Sequence, residues 1–98
     1  MAVTSELAGD GAQLTIKISG RFDFSSHQEF RKAYEAVSQS NLAYIIDMAA
    51  AEYLDSSALG MLLLMREHAG GDQADIRIVN CRPQIKNILK VANFAKLF

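Results

Sequence analysis

The first third of the chain alternates between apolar and polar positions. Leu14, Ile16 and Ile18 are separated by Thr15, Lys17 and Ser19, the period-two pattern of a strand with one buried face. Val3 to Leu7 is a weaker run of the same kind, and Gly9-Asp10-Gly11 between the two predicts a hairpin turn. The period then lengthens. Ser26 with Glu29 three residues later has the spacing of a capping box, in which a hydroxyl and a carboxylate satisfy free amides at a helix start. Phe30, Ala33, Tyr34 and Val37 follow at helical spacing, so a first helix is expected over about 26–38.

Leu42 to Asp47 is a continuous apolar run closing on an acid, the pattern of an interior parallel strand, and a loop is expected after it. Asp55-Ser56-Ser57 then precedes a helical stretch from Ala58 to Ala69, with Gly70-Gly71 as its stop. Ile76 to Val79 predicts a short strand. Pro83 suits a first helical turn, and Ile85, Ile88, Leu89 and Ala92 give a last helix over about 83–92 one apolar face. The order β-β-α-β-α-β-α predicts an α/β fold, a mixed sheet of about four strands with parallel crossovers. Residues 1–98 are expected to form a single domain, because a chain of 98 residues has no room for a second.

That topology points to a site. Right-handed crossovers bring the C-terminal ends of strands 14–18, 42–47 and 76–79 to one edge, where open α/β sheets bind their ligands. The segments leaving this edge carry Asp23, Asp47, Glu52, Asp55, Ser56, Ser57, Cys81 and Arg82.

Composition narrows the function classes. Half the residues are apolar and 21% are charged, as in a compact globular core. Cys81 is the only cysteine and has no internal disulfide partner, which suits a reducing, cytoplasmic setting. The longest apolar run, Ala58 to Met65, is far short of the roughly 20 residues that span a bilayer, so no membrane is expected. The net charge is −1, yet the last 23 residues hold Arg77, Arg82, Lys86, Lys90 and Lys96 with no acid. A nucleic-acid surface would want aromatic residues between such cations; the simpler reading is a solvated helix face. A catalytic serine would need a base, and the candidates are His27 and His68. His68 sits roughly 15–18 Å along the helix from Ser56 at 1.5 Å per residue. No Gly-rich phosphate loop, metal-ligand spacing or Gly-x-Ser-x-Gly elbow occurs, so neither cofactor nor metal is expected and the chain is not expected to be an enzyme. Phosphate-bearing nucleotides find little support at an acidic edge without a metal.

Tyr44-Ile45-Ile46-Asp47 followed by Asp55-Ser56-Ser57-Ala58-Leu59-Gly60 resembles the STAS domain family, named for sulfate transporters and anti-sigma factor antagonists. The family pattern is a hydrophobic strand ending in Asp, a loop of about seven residues, and Asp-Ser-Ser-Gly-Leu-Gly opening a helix. Gly20-Arg21-Phe22-Asp23 looks like the family's lead-in to its first helix, and Phe94-Ala95-Lys96-Leu97-Phe98 like the start of its closing segment. Ala58 stands where the family usually has glycine, and the chain stops where many relatives continue.

The resemblance implies that Ser56 is a phosphoacceptor. An anti-sigma factor acting as serine kinase would modify it, a serine phosphatase would restore it, and the unmodified form would bind the anti-sigma factor and release a sigma factor. Taken alone, the local sequence offers a simpler role, since serine ahead of a helix is usually an N-cap and Asp55 could be the cap itself. The partner surface is expected to draw on Asp23, Asp47, Asp55, Ser57, Ala58, Met61 and Leu64. The second helix is apolar almost all round, with Met65 expected in the core and Met61 and Leu64 facing a partner. The rival implication is a fixed STAS subunit of a larger lipid-transport or stress-signalling assembly, in which the serine edge is not phosphorylated.

Overall fold

A computed structural model describes residues 3–37 and 42–94. The strands are β1 (Val3–Leu7), β2 (Gln13–Phe22), β3 (Ala43–Leu54) and β4 (Asp75–Val79), and the helices are α1 (His27–Glu35), α2 (Ser56–Ala69) and α3 (Pro83–Val91). Single 3₁₀ turns occupy Phe24–Ser26 and Gly71–Gln73. The sheet runs β1-β2-β3-β4, with β1 antiparallel to β2 and the remaining pairs parallel. The order β-β-α-β-α-β-α is the one the sequence predicts.

The β1–β2 turn closes through Gly11 N–H donating to the Ala8 carbonyl at 2.8 Å, with Gly11 at φ 72°. A residue with a Cβ rarely adopts that backbone angle. Asp10 Oδ1 accepts from Ala12 N–H at 3.0 Å and fixes the return into β2.

The parallel register aligns Leu14 with Tyr44 and Ile76, and Ile16 with Ile46 and Ile78. These side chains therefore share one sheet face. Helix α1 lays Phe30 and Tyr34 on the core and α2 adds Ala58, Met61, Leu62 and Met65. The rings of Phe22, Phe30 and Tyr34 form a chain, with centroids 5.0 Å and then 5.5 Å apart in tilted and edge-on contacts. Ile85 and Leu89 anchor α3.

Three elements differ from expectation. The segment after Asp47 is not a loop. β3 continues to Leu54 because β2 continues to Phe22, and the two pair through Ser19–Ala50, Gly20–Ala51, Arg21–Tyr53 and Phe22–Leu54 with register shifts on the way. Ala49-Ala50-Ala51 has weak strand propensity, so only the partner strand holds it extended.

The capping box at the first helix does not form either. Ser26 is 2% exposed and makes no side-chain cap bond, and Glu29 Oε2 has no hydrogen-bond partner among the described residues. Asp23 takes the capping role instead, accepting from Ser25 N–H at 3.0 Å, so the chain turns three residues earlier. The helix ends at Glu35, and the last expected position, 38, lies outside the described residues.

The third difference concerns α2. Ala58, Met61, Leu62 and Met65, spaced i, i+3, i+4 and i+7, form its buried stripe. Met61 is 4% exposed and belongs to the core rather than to a partner surface, and Ala58 is fully buried. A helix apolar on every side has no preferred face by pattern alone. Its orientation follows from where β3 delivers it to the sheet.

Candidate functional site

The site gathers where β2 and β3 end together. Phe22 pairs with Leu54, so Asp23 and Asp55 emerge side by side, and Asp55 N–H donates to the Phe22 carbonyl at 3.4 Å. Asp55 has extended backbone angles and is the N-cap of α2: its Oδ1 accepts from Ala58 N–H at 2.9 Å. A carboxylate here also faces the positive end of the helix dipole.

Ser56 is therefore the first helical residue, exposed, and its hydroxyl makes no hydrogen bond among the described residues. Ser57 follows, half-buried. The N–H groups of both lie in the first turn, where the helix supplies no acceptor. Asp55→Ala is expected to remove the cap and cost about 1 kcal/mol, within the ~0.5–2 kcal/mol such losses carry. Urea denaturation measures it, and a loss below about 0.3 kcal/mol would deny Asp55 that role.

Electrostatics at the edge are set by short-range contacts. Asp23 accepts from the Ser25 hydroxyl at 2.5 Å and from its N–H, and Arg21 stands 3.7 Å away. Those bonds, the Ser25 hydroxyl first, hold the Asp23 carboxyl below its usual range. The Arg21 guanidinium also lies over the Tyr53 ring, 4.8 Å from its centroid. Phe24 is 71% exposed and stacks on His27 at 5.8 Å. This aromatic pair, Tyr53 and Arg21 belong to the edge but were not among the residues expected there. The signal was a phenylalanine inside the polar run Asp23 to Ser26, where no buried face requires one.

Asp47 is not at a strand end. Mid-strand in β3, its Oδ1 accepts from Ala49 N–H at 2.9 Å and from Asn80 Nδ2 at 3.2 Å. Arg82 Nε donates to the Ala49 carbonyl at 3.1 Å. Both contacts tie the irregular part of β3 to the segment that leads into α3. Cys81 is half-buried, and burial pushes its thiol up, with Lys86 a lesser opposing influence. His27 packs on Phe24 and His68 on the Tyr34 ring at 5.0 Å, so each imidazole is engaged by an aromatic neighbour.

Along α2 the exposed side carries Ser56, Leu63, Leu64 and Glu67, with half-buried Gly60 among them. Leu64 is 56% exposed, about 12 Å down the helix from Ser56 at 1.5 Å per residue. The sequence model of the family described as Mlab, STAS domain, matches residues 5–98. The chain belongs to the STAS domain family.

A STAS-domain containing protein of Pseudomonas aeruginosa (strain UCBPP-PA14) is 54% identical over 98 residues, covering 100% of this chain and 97% of the relative. Among solved structures, the STAS domain of an antisigma-factor antagonist from Rhodobacter sphaeroides is 30% identical, with TM-score 0.57 over 80% of this chain and 84% of that one. A sulfate transporter family protein from Wolinella succinogenes shares the fold at 13% identity, with TM-score 0.75 over 91% of this chain and 77% of that one. The STAS fold of this chain is thus similar both to anti-sigma factor antagonists and to a transporter-family protein. Among the described residues no helix is long and apolar enough to cross a membrane, and no group of three metal-ligating side chains converges.

Proposed function

We propose that this STAS domain is a phosphorylation-switched antagonist of an anti-sigma factor. Unmodified, it binds an anti-sigma factor that is also a serine kinase and so releases a sigma factor; phosphorylated on Ser56, it lets go, and a serine phosphatase resets it. The observation that carries this reading is the division of labour at the start of α2. Asp55 performs the capping, which leaves the exposed Ser56 hydroxyl with no structural duty. A kinase acceptor needs that accessibility. The 30% identity to an antisigma-factor antagonist supports the same reading.

Gly60 supports a partner surface on the same side of the helix. A Cβ at this position would meet nothing within 4 Å, so no contact among the described residues requires glycine. Glycine in a helix interior costs about 0.5–1 kcal/mol relative to alanine. A partner backbone lying close against Ser56, Gly60, Leu63 and Leu64 gives that cost a purpose. Leu64→Glu is accordingly expected to weaken the partner complex at least tenfold while shifting unfolding by less than about 0.5 kcal/mol, as for exposed sites. An unchanged dissociation constant would take this side of α2 out of the interface. Met61→Glu cannot serve as the probe, because it would bury an unpaired charge.

Peptide-level mass spectrometry of the protein from its own cells, with phosphatase-treated material as control, tests the switch. A fractional phosphate on Ser56 is expected. A second reading, which the family resemblance equally implies, is a fixed subunit of a larger assembly; the family model that matches is described as Mlab, STAS domain. A chain that stays unmodified in every growth condition would overturn the switch in favour of that reading.

A further inference from the structure

β4 ends at Val79, and the chain turns sharply through Asn80, whose backbone is in the left-handed region at φ 60°. The turn swings α3 back beside Ile78 and leaves a cavity of about 670 Å³ between helix and strand. That volume falls within the roughly 300–1,000 Å³ of small-molecule sites, which are mainly apolar with a few polar groups to orient the ligand. Ile78, Cys81, Leu89 and Phe94 form its apolar wall. Burial keeps the Cys81 thiol protonated at neutral pH, so the sulfur behaves as part of that wall.

Two cations complete the lining. Lys86 and Lys90 are exposed, and they lie four residues apart on α3, hence on the same side of the helix. Neither makes an ion pair or hydrogen bond among the described residues. Residues 76–98 contain no acid to neutralise them. Like charges at this spacing repel, and an anion placed between them would relieve that repulsion. An apolar wall beside a pair of uncompensated cations is complementary to a ligand with an apolar body and an anionic head.

We propose that the cavity between β4 and α3 binds a small amphiphilic carboxylate, its acyl chain against Ile78, Leu89 and Phe94 and its carboxylate between the Lys86 and Lys90 ammonium groups. The site shares no residue with the exposed side of α2 and does not depend on the phosphorylation reading. It does touch the same edge of the sheet, since Asn80, which also lines the cavity, donates to Asp47 in β3.

Decanoate, kept below its micelle threshold, is the probe. Titrated into the isotope-labelled full chain, it is expected to give saturable amide shifts confined to residues 78–81 and 86–94. It should also slow alkylation of Cys81, the only thiol. Decanol and decyltrimethylammonium should bind about tenfold more weakly, the equivalent of about 1.4 kcal/mol. The paired variant Lys86→Gln, Lys90→Gln should abolish the preference for decanoate over decanol; both side chains are exposed, so the fold should stand. Equal binding of the three amphiphiles would overturn the proposal, as would shifts scattered over the whole chain. Nuclear Overhauser contacts from Leu97 or Phe98 to Ile78 and Leu89 in the free protein would also overturn it, by giving the cavity to the residues that follow Phe94.

Discussion

Phosphorylation of Ser56 is expected, on the proposed function, to weaken binding of an anti-sigma factor several hundredfold while leaving the fold intact. A phosphoserine carries about −1.5 to −2 charges at pH 7. Within the free chain this charge is tolerated. Ser56 is exposed at the first turn of α2, where unpaired amides and the helix dipole stabilise an anion by roughly 0.3–1 kcal/mol. In a complex the balance reverses. The phosphate would share a closed interface with Asp23 and Asp55, which the Phe22–Leu54 pairing brings out side by side. Like charges juxtaposed in an interface cost several kcal/mol, and a penalty of about 3–4 kcal/mol is several hundredfold in affinity.

Calorimetric titration of the proposed kinase partner against both forms of the chain measures this effect. Ser56→Ala should bind like the unmodified protein. Ser56→Asp should fall between the two forms, because it adds one charge rather than two. Equal affinities for alanine, aspartate and phosphoserine would sink the electrostatic mechanism, and a large drop in melting temperature would show that the phosphate acts through the fold.

Phe22→Ala is expected to be the most destabilising of the single changes considered, at about 3–5 kcal/mol. Phe22 is 0% exposed and its ring is 5.0 Å from that of Phe30, which in turn meets Tyr34. Removing it opens a cavity where β2, β3 and α1 meet and leaves the Phe30 ring short of a neighbour. Domains of this kind have about 5–15 kcal/mol in total, so much of the stability would go. The Phe22 carbonyl also accepts from Asp55 N–H, so the start of α2 would loosen with it. Urea denaturation should show a lower midpoint with an unchanged slope. A loss under 1 kcal/mol would mean that the site does not rest on this aromatic chain.

Some of this was legible without coordinates, and the reason differs from residue to residue. Alternation through Leu14, Ile16 and Ile18 settled which face of β2 is buried, because side chains in a strand have only two directions to point. Gly9-Asp10-Gly11 marked the hairpin turn, since few other residues accept its backbone angles. Asp55-Ser56-Ser57 marked the start of α2 to within one or two residues, because capping is local chemistry. Which of the three residues caps was not legible, as all three have the chemistry for it. The length of β3 and the position of Asp47 within it were hidden for a different reason. They follow from pairing with the far end of β2, about thirty residues away in sequence.

The sequence by itself determined the element order, the STAS family, the hairpin, and an edge of the sheet at which Asp23, Asp55 and Ser56 would meet. The elements, the hairpin and the edge rest on interactions spanning a few residues or on the handedness of crossovers, and the family on the resemblance of its motifs. Tertiary structure alone decided that Met61 and Ala58 face the core while Leu64 faces solvent. It also decided that Phe24 and Tyr53 join the edge, and that a cavity opens beneath Lys86 and Lys90. A helix apolar all round can present any face; only packing against the sheet chooses one, and that choice separates the core of this protein from the surface it offers to others.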